Sequence, residues 1–202
     1  MESVKIVGIG GLPRSGKDTL AELFIEDGFY GVSFGDILRE FARERHHDKP
    51  DPISVANMTE TSNWLRETQG ADVILKEALR QFEEKQKVGN DYKGMVLWSI
   101  RAPVEVDFIL AHKGDMIWVE ASDEVRHKRS LTHLRVGEAP TTLEEFKRQE
   151  ALQWKPQPDV PIEVQMDLSY VKDYATHTLV NNDDNLDVFL QKSEKLINII
   201  GR

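Results

Sequence analysis

The sequence predicts an α/β fold in which a parallel sheet of about five strands carries helices on both faces. Three observations lead there. Short β-rich runs alternate with helix-patterned segments along the chain, the order that builds a parallel sheet through crossover helices. At 202 residues, 40% hydrophobic and 30% charged, the chain can bury one substantial core without staples. It contains no cysteine, which removes disulfide frameworks, thiolate metal sites and cysteine nucleophiles together.

Taken in order, 4–9 is a β-rich run ending at Gly10-Gly11. Leu20, Leu23 and Phe24 set a helix over 17–27, which Gly28 closes. A second strand is expected at 31–34. Ile37, Leu38, Phe41 and Ala42 mark a helix to 45, and Pro50 and Pro52 lie in a loop over 46–53. Two helices follow at 56–69 and 71–87, divided at Gly70. The run 94–100 reads as a buried strand, 104–113 as a helix, 116–121 as a strand, and 123–134 and 142–154 as helices. Three prolines make 155–161 irregular. The last strand is expected at 174–181. A final helix covers 186–200, with Leu186, Phe189, Leu190, Ser193, Leu196 and Ile197 along one stripe.

Charge narrows the function classes. Lys and Arg total 26 against 35 Asp and Glu, a net charge of −9 that repels nucleic acid at long range. Apolar stretches fall well short of the ~20 residues of a membrane span. The first residues lack the basic flank and apolar core of a signal peptide, so a cytoplasmic location is expected. Six histidines without ligand spacing argue against a transition-metal site, and no Gly-x-Ser-x-Gly elbow is present.

Parallel α/β sheets bind ligands beyond the carboxyl ends of their strands, here the junctions 10–17, 35–39, 99–105, 121–126 and 181–185. The first junction is Gly11-Leu-Pro-Arg-Ser-Gly16-Lys17-Asp18-Thr19. A Gly-x4-Gly-Lys turn between a strand and a helix is a phosphate cradle. Its glycines let backbone N–H groups point inward, the helix N-terminus adds positive potential, and the lysine reaches the outer phosphates. Asp18 stands where a serine or threonine usually holds Mg²⁺. It either approaches the metal or turns away and supports the first helical turn through the helix dipole. The set expected to hold the nucleotide is Gly11, Arg14, Ser15, Gly16, Lys17, Asp18 and Thr19.

With the later junctions, the chain resembles the nucleoside-monophosphate-kinase group of P-loop proteins, in particular small archaeal adenylate-kinase-like and dephospho-CoA-kinase-like proteins. The resemblance spans about 4–190 and is weak over 46–95. It implies a three-layer P-loop NTPase fold with a helical lid: core 1–35, 94–122 and 174–202, an acceptor-binding insertion over about 36–90, and a lid over about 124–155. It also implies roles. Asp36 and Arg39, three apart on one helical face, look like the acceptor-side pair, the alternative being a surface ion pair. Arg66 resembles a second acceptor-side arginine, or is an ordinary solvated helix residue. Arg101 is similar to an arginine that holds the acceptor phosphate or the transferred group with bidentate geometry; the alternative is a buried pair with Glu105. The family usually has an aspartate near the end of this strand, where this chain has Trp98 and Ser99. Trp98 is then a core residue or a stacking face.

Arg126, Lys128, Arg129 and Arg135 gather cations in an acidic chain and resemble the lid, the alternative being a solvated face. The resemblance implies that Arg126, Arg129 and Arg135 close over the γ-phosphate. Thr142 and Glu145 have the spacing of a capped helix start, and Arg148 follows on that helix. Asn181 would end the last strand beside the adenine. The reading is ATP- and Mg²⁺-dependent phosphoryl transfer to a nucleoside or deoxynucleoside monophosphate, by a monomer or homodimer without nucleic-acid or membrane partners. Alternatives are a dephospho-CoA or other small-metabolite kinase, or a weakened nucleotide-binding regulatory module.

Overall fold

A computed structural model describes residues 4–132, 140–154, 161, 165–183 and 185–201. Five parallel strands form one sheet: β1 (Lys5–Gly10), β2 (Tyr30–Ser33), β3 (Gly94–Ile100), β4 (Asp115–Glu120) and β5 (His177–Val180), in the order β2-β3-β1-β4-β5. Nine helices occur among the described residues: α1 (Lys17–Glu26), α2 (Phe34–Arg45), α3 (Val55–Gln69), α4 (Val73–Lys87), α5 (Pro103–Ala111), α6 (Asp123–Thr132), α7 (Leu143–Trp154), α8 (Leu168–Asp173) and α9 (Leu186–Ile200). None is long and apolar enough to cross a membrane.

The sheet buries both faces. On one, Val7, Ile9, Val96, Ile117 and Val119 pack against Leu20 and Phe24 of α1 and Phe189 and Ile197 of α9. On the other, Ile6, Met95, Leu97, Met116 and Trp118 meet apolar side chains of α2, α4, α5 and α8. The central strand β1 carries glycine at 8 and 10 on this second face. A Cβ at Gly8 would overlap Ile109 of α5, and one at Gly10 would come within 2.6 Å of Val171 of α8. Bare backbone there lets both helices lie close to the sheet.

Most boundaries fall within one or two residues of the sequence expectation, and the larger departures are two boundaries and one element. Phe34 opens α2 rather than ending a strand, because the Ser33 hydroxyl accepts from the Asp36 N–H at 3.1 Å and starts the helix early. Strand β5 is shorter than 174–181, since Tyr174 still donates to Tyr170 O and Thr176 N–H caps Met116 O. Helix α8 has no counterpart in the sequence reading. It is short, and its cap is local: Asp167 accepts from Tyr170 N–H at 3.0 Å. Of the irregular 155–161, only 161 is among the described residues.

Candidate nucleotide and acceptor site

The first βα turn has the backbone that its glycines anticipate. Gly11 (φ 151°), Arg14 (φ 65°) and Gly16 (φ 104°) lie at positive φ, which curls the chain over the start of α1. Side chains are excluded at both glycines. A Cβ at 11 would sit 2.6 Å from Val119 O and 2.7 Å from Ser15 Oγ, and one at 16 would fall on the Asn181 amide. Ser15 is fully buried, and its hydroxyl has no hydrogen-bond partner among the described residues. Lys17 is 4% exposed, with its ammonium 4.0 Å from the largely exposed Asp18 carboxylate. Thr19 is half-buried on the first turn of α1. An orphaned buried hydroxyl, a curled amide backbone and a buried lysine fit a polyphosphate. Asp18 and Thr19 are the oxygen-bearing side chains that follow Lys17 on the first turn of α1. No cluster of three or more His, Asp or Glu side chains that could hold a metal occurs among the described residues.

Two arginines of α6 hold this loop from outside. Arg126 is completely buried. It donates to both oxygens of Glu150 on α7, to Asp123 Oδ1 at 2.6 Å, to Ala121 O at 3.0 Å, and to Pro13 O of the loop at 3.4 Å. This corrects one expectation: the guanidinium is enclosed by protein acceptors rather than open over the cradle, because two carboxylates and two carbonyls out-compete solvent for it. Burial pushes the Glu150 carboxyl above its usual range, with Arg126 and the nearby Lys17 acting the other way. Arg129 donates to Arg14 O, to both oxygens of Asn181 and to Asp183 O at 3.1–3.3 Å. Asn181 in turn donates to Ser15 O at 2.7 Å. The β5–α9 junction is therefore stapled to the loop. Glu150 escaped the sequence reading because its partner is 24 residues away and on another helix.

The remaining candidate residues lie at the ends of β2 and β3. Asp36 is exposed and ion-pairs with the half-buried Arg39, the surface alternative noted above. Arg66 is buried, not solvated: it donates to Ser62 Oγ at 2.9 Å and to Glu105 Oε1 at 3.4 Å. Glu105 also accepts from the N–H groups of Arg101 (2.7 Å) and Ala102 (3.0 Å), closing the β3–α5 turn. The buried partner of Glu105 is thus Arg66 rather than the Arg101 side chain. Arg101 is half-buried at the mouth of that turn, and its carbonyl accepts from Asp167 N–H at 2.8 Å. Trp98 packs on the α1 face of the sheet, over Gly31. Arg135 lies outside the described residues. Thr142 caps α7 as anticipated, accepting from Glu145 N–H at 3.2 Å, and Arg148 pairs with Glu145 on the surface. A cavity of about 570 Å³ opens beside Leu12 of the loop, between Trp118, Trp154, Ser122 and Asn182.

No protein-family model matches the chain. Among solved structures, a shikimate kinase from Acinetobacter baumannii in complex with shikimate superposes with a TM-score of 0.53, covering 98% of this chain and 94% of that one at 11% identity. That likeness shows the fold. Among curated relatives, a UPF0200/UPF0201 protein of Archaeoglobus fulgidus is 31% identical over 150 residues, 73% of this chain but only 44% of its own length. A UPF0200 protein of Hyperthermus butylicus is 31% identical over 147 residues, 72% of this chain and 73% of the relative. With nearly a third of positions identical across nearly three quarters of both chains, this chain belongs to the UPF0200 family.

Proposed function

We propose that the protein transfers the terminal phosphoryl group of ATP, bound with Mg²⁺, to a small acceptor, a nucleoside or deoxynucleoside monophosphate. The observation that carries this reading is the loop 11–17. It places a buried lysine and an orphaned serine hydroxyl behind a left-handed backbone curl, at the carboxyl end of the central strand. The fold that the chain shares with a shikimate kinase supports the reaction type.

The residues divide by what they touch. The cradle from Gly11 to Thr19 binds the polyphosphate, and Lys17 sets its charge against the outer phosphates. The metal ion, when bound, neutralises phosphate charge, and Asp18 is the carboxylate nearest to serve it. Arg129 and Asn181 hold the loop against the β5–α9 junction, where the nucleotide base would lie. Arg126 acts as a positioning residue that ties the lid helices to Pro13, which leaves Arg129, and Arg135 by the family resemblance, as the lid cations to act on phosphate. On the acceptor side, Arg39 and Arg101 bind and orient the second substrate, with Arg66 steadying the Arg101 turn through Glu105. Phosphoryl transfer asks mainly for such positioning, charge stabilisation and exclusion of water. The core 1–35, 94–122 and 174–202, the acceptor insertion 36–90 and the lid 124–155 are the corresponding division of the chain.

A second reading, a small hydroxylated metabolite as acceptor, is favoured by one feature: Arg39 is already paired with Asp36, so this corner is charge-balanced rather than cationic. The test is calorimetry with Mg·ATP followed by a coupled assay over nucleoside monophosphates, dephospho-CoA and shikimate. Wild type should bind ATP and consume it with one acceptor. Lys17→Ala should lower turnover by about 100-fold or more. A folded sample giving no heat with Mg·ATP overturns the proposal.

A further inference from the structure

The end of β3 is irregular in a way that neither strand pairing nor the phosphate loop requires. Along the β1–β3 ladder Ile9 pairs with Trp98 and Gly10 with Ile100, so Ser99 is an extra residue with no partner on β1. It is a bulge, and its backbone is left-handed (φ 66°), a conformation that side chains other than glycine's resist. Bulges re-aim side chains, and this one turns a serine toward the first turn of α2.

There the hydroxyl faces the bare backbone of Gly35, with room for about one methyl group. A Cβ built on Gly35 would lie 3.6 Å from Ser99 Oγ, 3.6 Å from Ser33 Oγ and 3.7 Å from an Arg39 guanidinium nitrogen. Gly35 is not at positive φ, so its backbone does not need glycine. What its missing side chain does is leave a small space faced by two hydroxyls and a guanidinium. The Ser99 hydroxyl has no hydrogen-bond partner among the described residues, and Ser33 uses its oxygen only to accept from Asp36 N–H. The bulge is also held still, since Glu105 clamps the N–H groups of Arg101 and Ala102 just beyond it.

We infer that Ser99, held in this strained bulge, is a specificity-determining residue of the acceptor site, and that the space over Gly35 receives a hydroxyl-bearing part of the acceptor. Rested on the phosphoryl-transfer reading above, this assignment goes further by naming the chemistry recognised. Arg39 is balanced by Asp36, so the corner offers donors and acceptors together without net positive charge. That matches hydroxyl groups, which both donate and accept, better than a dianionic phosphate.

The experiment is calorimetric titration of AMP, GMP, CMP, UMP and shikimate into wild type, Ser99→Gly and Gly35→Ala, each saturated with Mg²⁺ and non-hydrolysable AMP-PNP. For whichever compound wild type binds, Ser99→Gly should weaken Kd about five- to tenfold, the loss of one or two hydrogen bonds. AMP-PNP affinity should stay unchanged, and the thermal midpoint should stay level or rise as the left-handed serine is relieved. Gly35→Ala, whose new methyl makes only ordinary contacts, should fold and weaken the same compound at least as much. Unchanged acceptor affinity in both variants overturns the assignment. So does a wild type that binds AMP-PNP but none of the five compounds. Failure to bind AMP-PNP counts instead against the phosphoryl-transfer reading, and the same titrations run without it still decide the role of Ser99.

Discussion

Replacing Arg126 with methionine tests how the lid is fastened to the phosphate loop. The substitution keeps an unbranched chain of similar length but removes every N–H that Arg126 gives to Glu150, Asp123, Ala121 O and Pro13 O. Asp123 keeps Lys147 at 2.9 Å and half faces solvent, so it tolerates the loss. Glu150 does not: its side chain is only 10% exposed, and Arg126 is the ion-pair partner it holds. Removing one member of a buried pair costs about 3–5 kcal/mol, and the lower end applies because Glu150 can take up a proton. The expected loss at pH 7.5 is therefore about 3 kcal/mol, or about 6–12 °C in Tm for a chain of this size.

The pH dependence has a definite sign. Burial already raises the Glu150 carboxyl, and removing the guanidinium raises it further. A carboxyl raised in the folded state contributes stability at low pH that is lost as pH climbs through its folded value, so the deficit should shrink from pH 7.5 to pH 5. The double variant Arg126→Met with Glu150→Gln should recover to within about 1 kcal/mol of wild type, since no ionised group is then left buried. Urea unfolding followed by circular dichroism, with unchanged m-values, measures all three proteins. A single variant within 1 kcal/mol of wild type, or a double variant no better than the single, would refute the buried clasp.

Two further outcomes follow from geometry already described. Gly16→Ala should cost about 2–4 kcal/mol, combining a left-handed alanine with displacement of the Asn181 amide from Ser15 O, and it should weaken Mg·ATP binding in calorimetry. A loss below 0.5 kcal/mol would mean that the loop backbone can be rebuilt cheaply. Tyr170 donates to Asp107 at 2.7 Å, which pushes its phenol up to about 12. A raised phenol adds stability that is complete below the ordinary value of about 10 and disappears as pH rises through about 12. Between those limits wild type should lose stability that Tyr170→Phe does not lose; parallel alkaline unfolding curves would exclude the interaction.

Local rules made most of the secondary structure legible. Helices α1, α2 and α9 announce themselves by a 3.6-residue apolar period, and the loop 11–17 by glycines whose spacing has one conformational use. Elements with weak local signals were missed or misplaced. The six-residue α8 is too short to show a period, and the start of α2 turned on whether Ser33 would cap a helix or extend a strand.

The site divides along the same line. The phosphate cradle is contiguous in sequence, so residue types and spacing are enough to specify its backbone and its buried lysine. The destinations of the arginines depend on partners far along the chain. Arg126 is claimed by Glu150, 24 residues on, and Arg66 by Glu105, 39 residues on, while Arg129 reaches Asn181 across 52. A guanidinium goes where buried carboxylates and carbonyls leave it the best set of acceptors, and only packing of the helices on the sheet brings those acceptors within reach. Spacing along the chain therefore determined the loop that can hold phosphate, whereas the tertiary structure decided which cations still face it, because ion pairing is a property of positions in space rather than of residues in order.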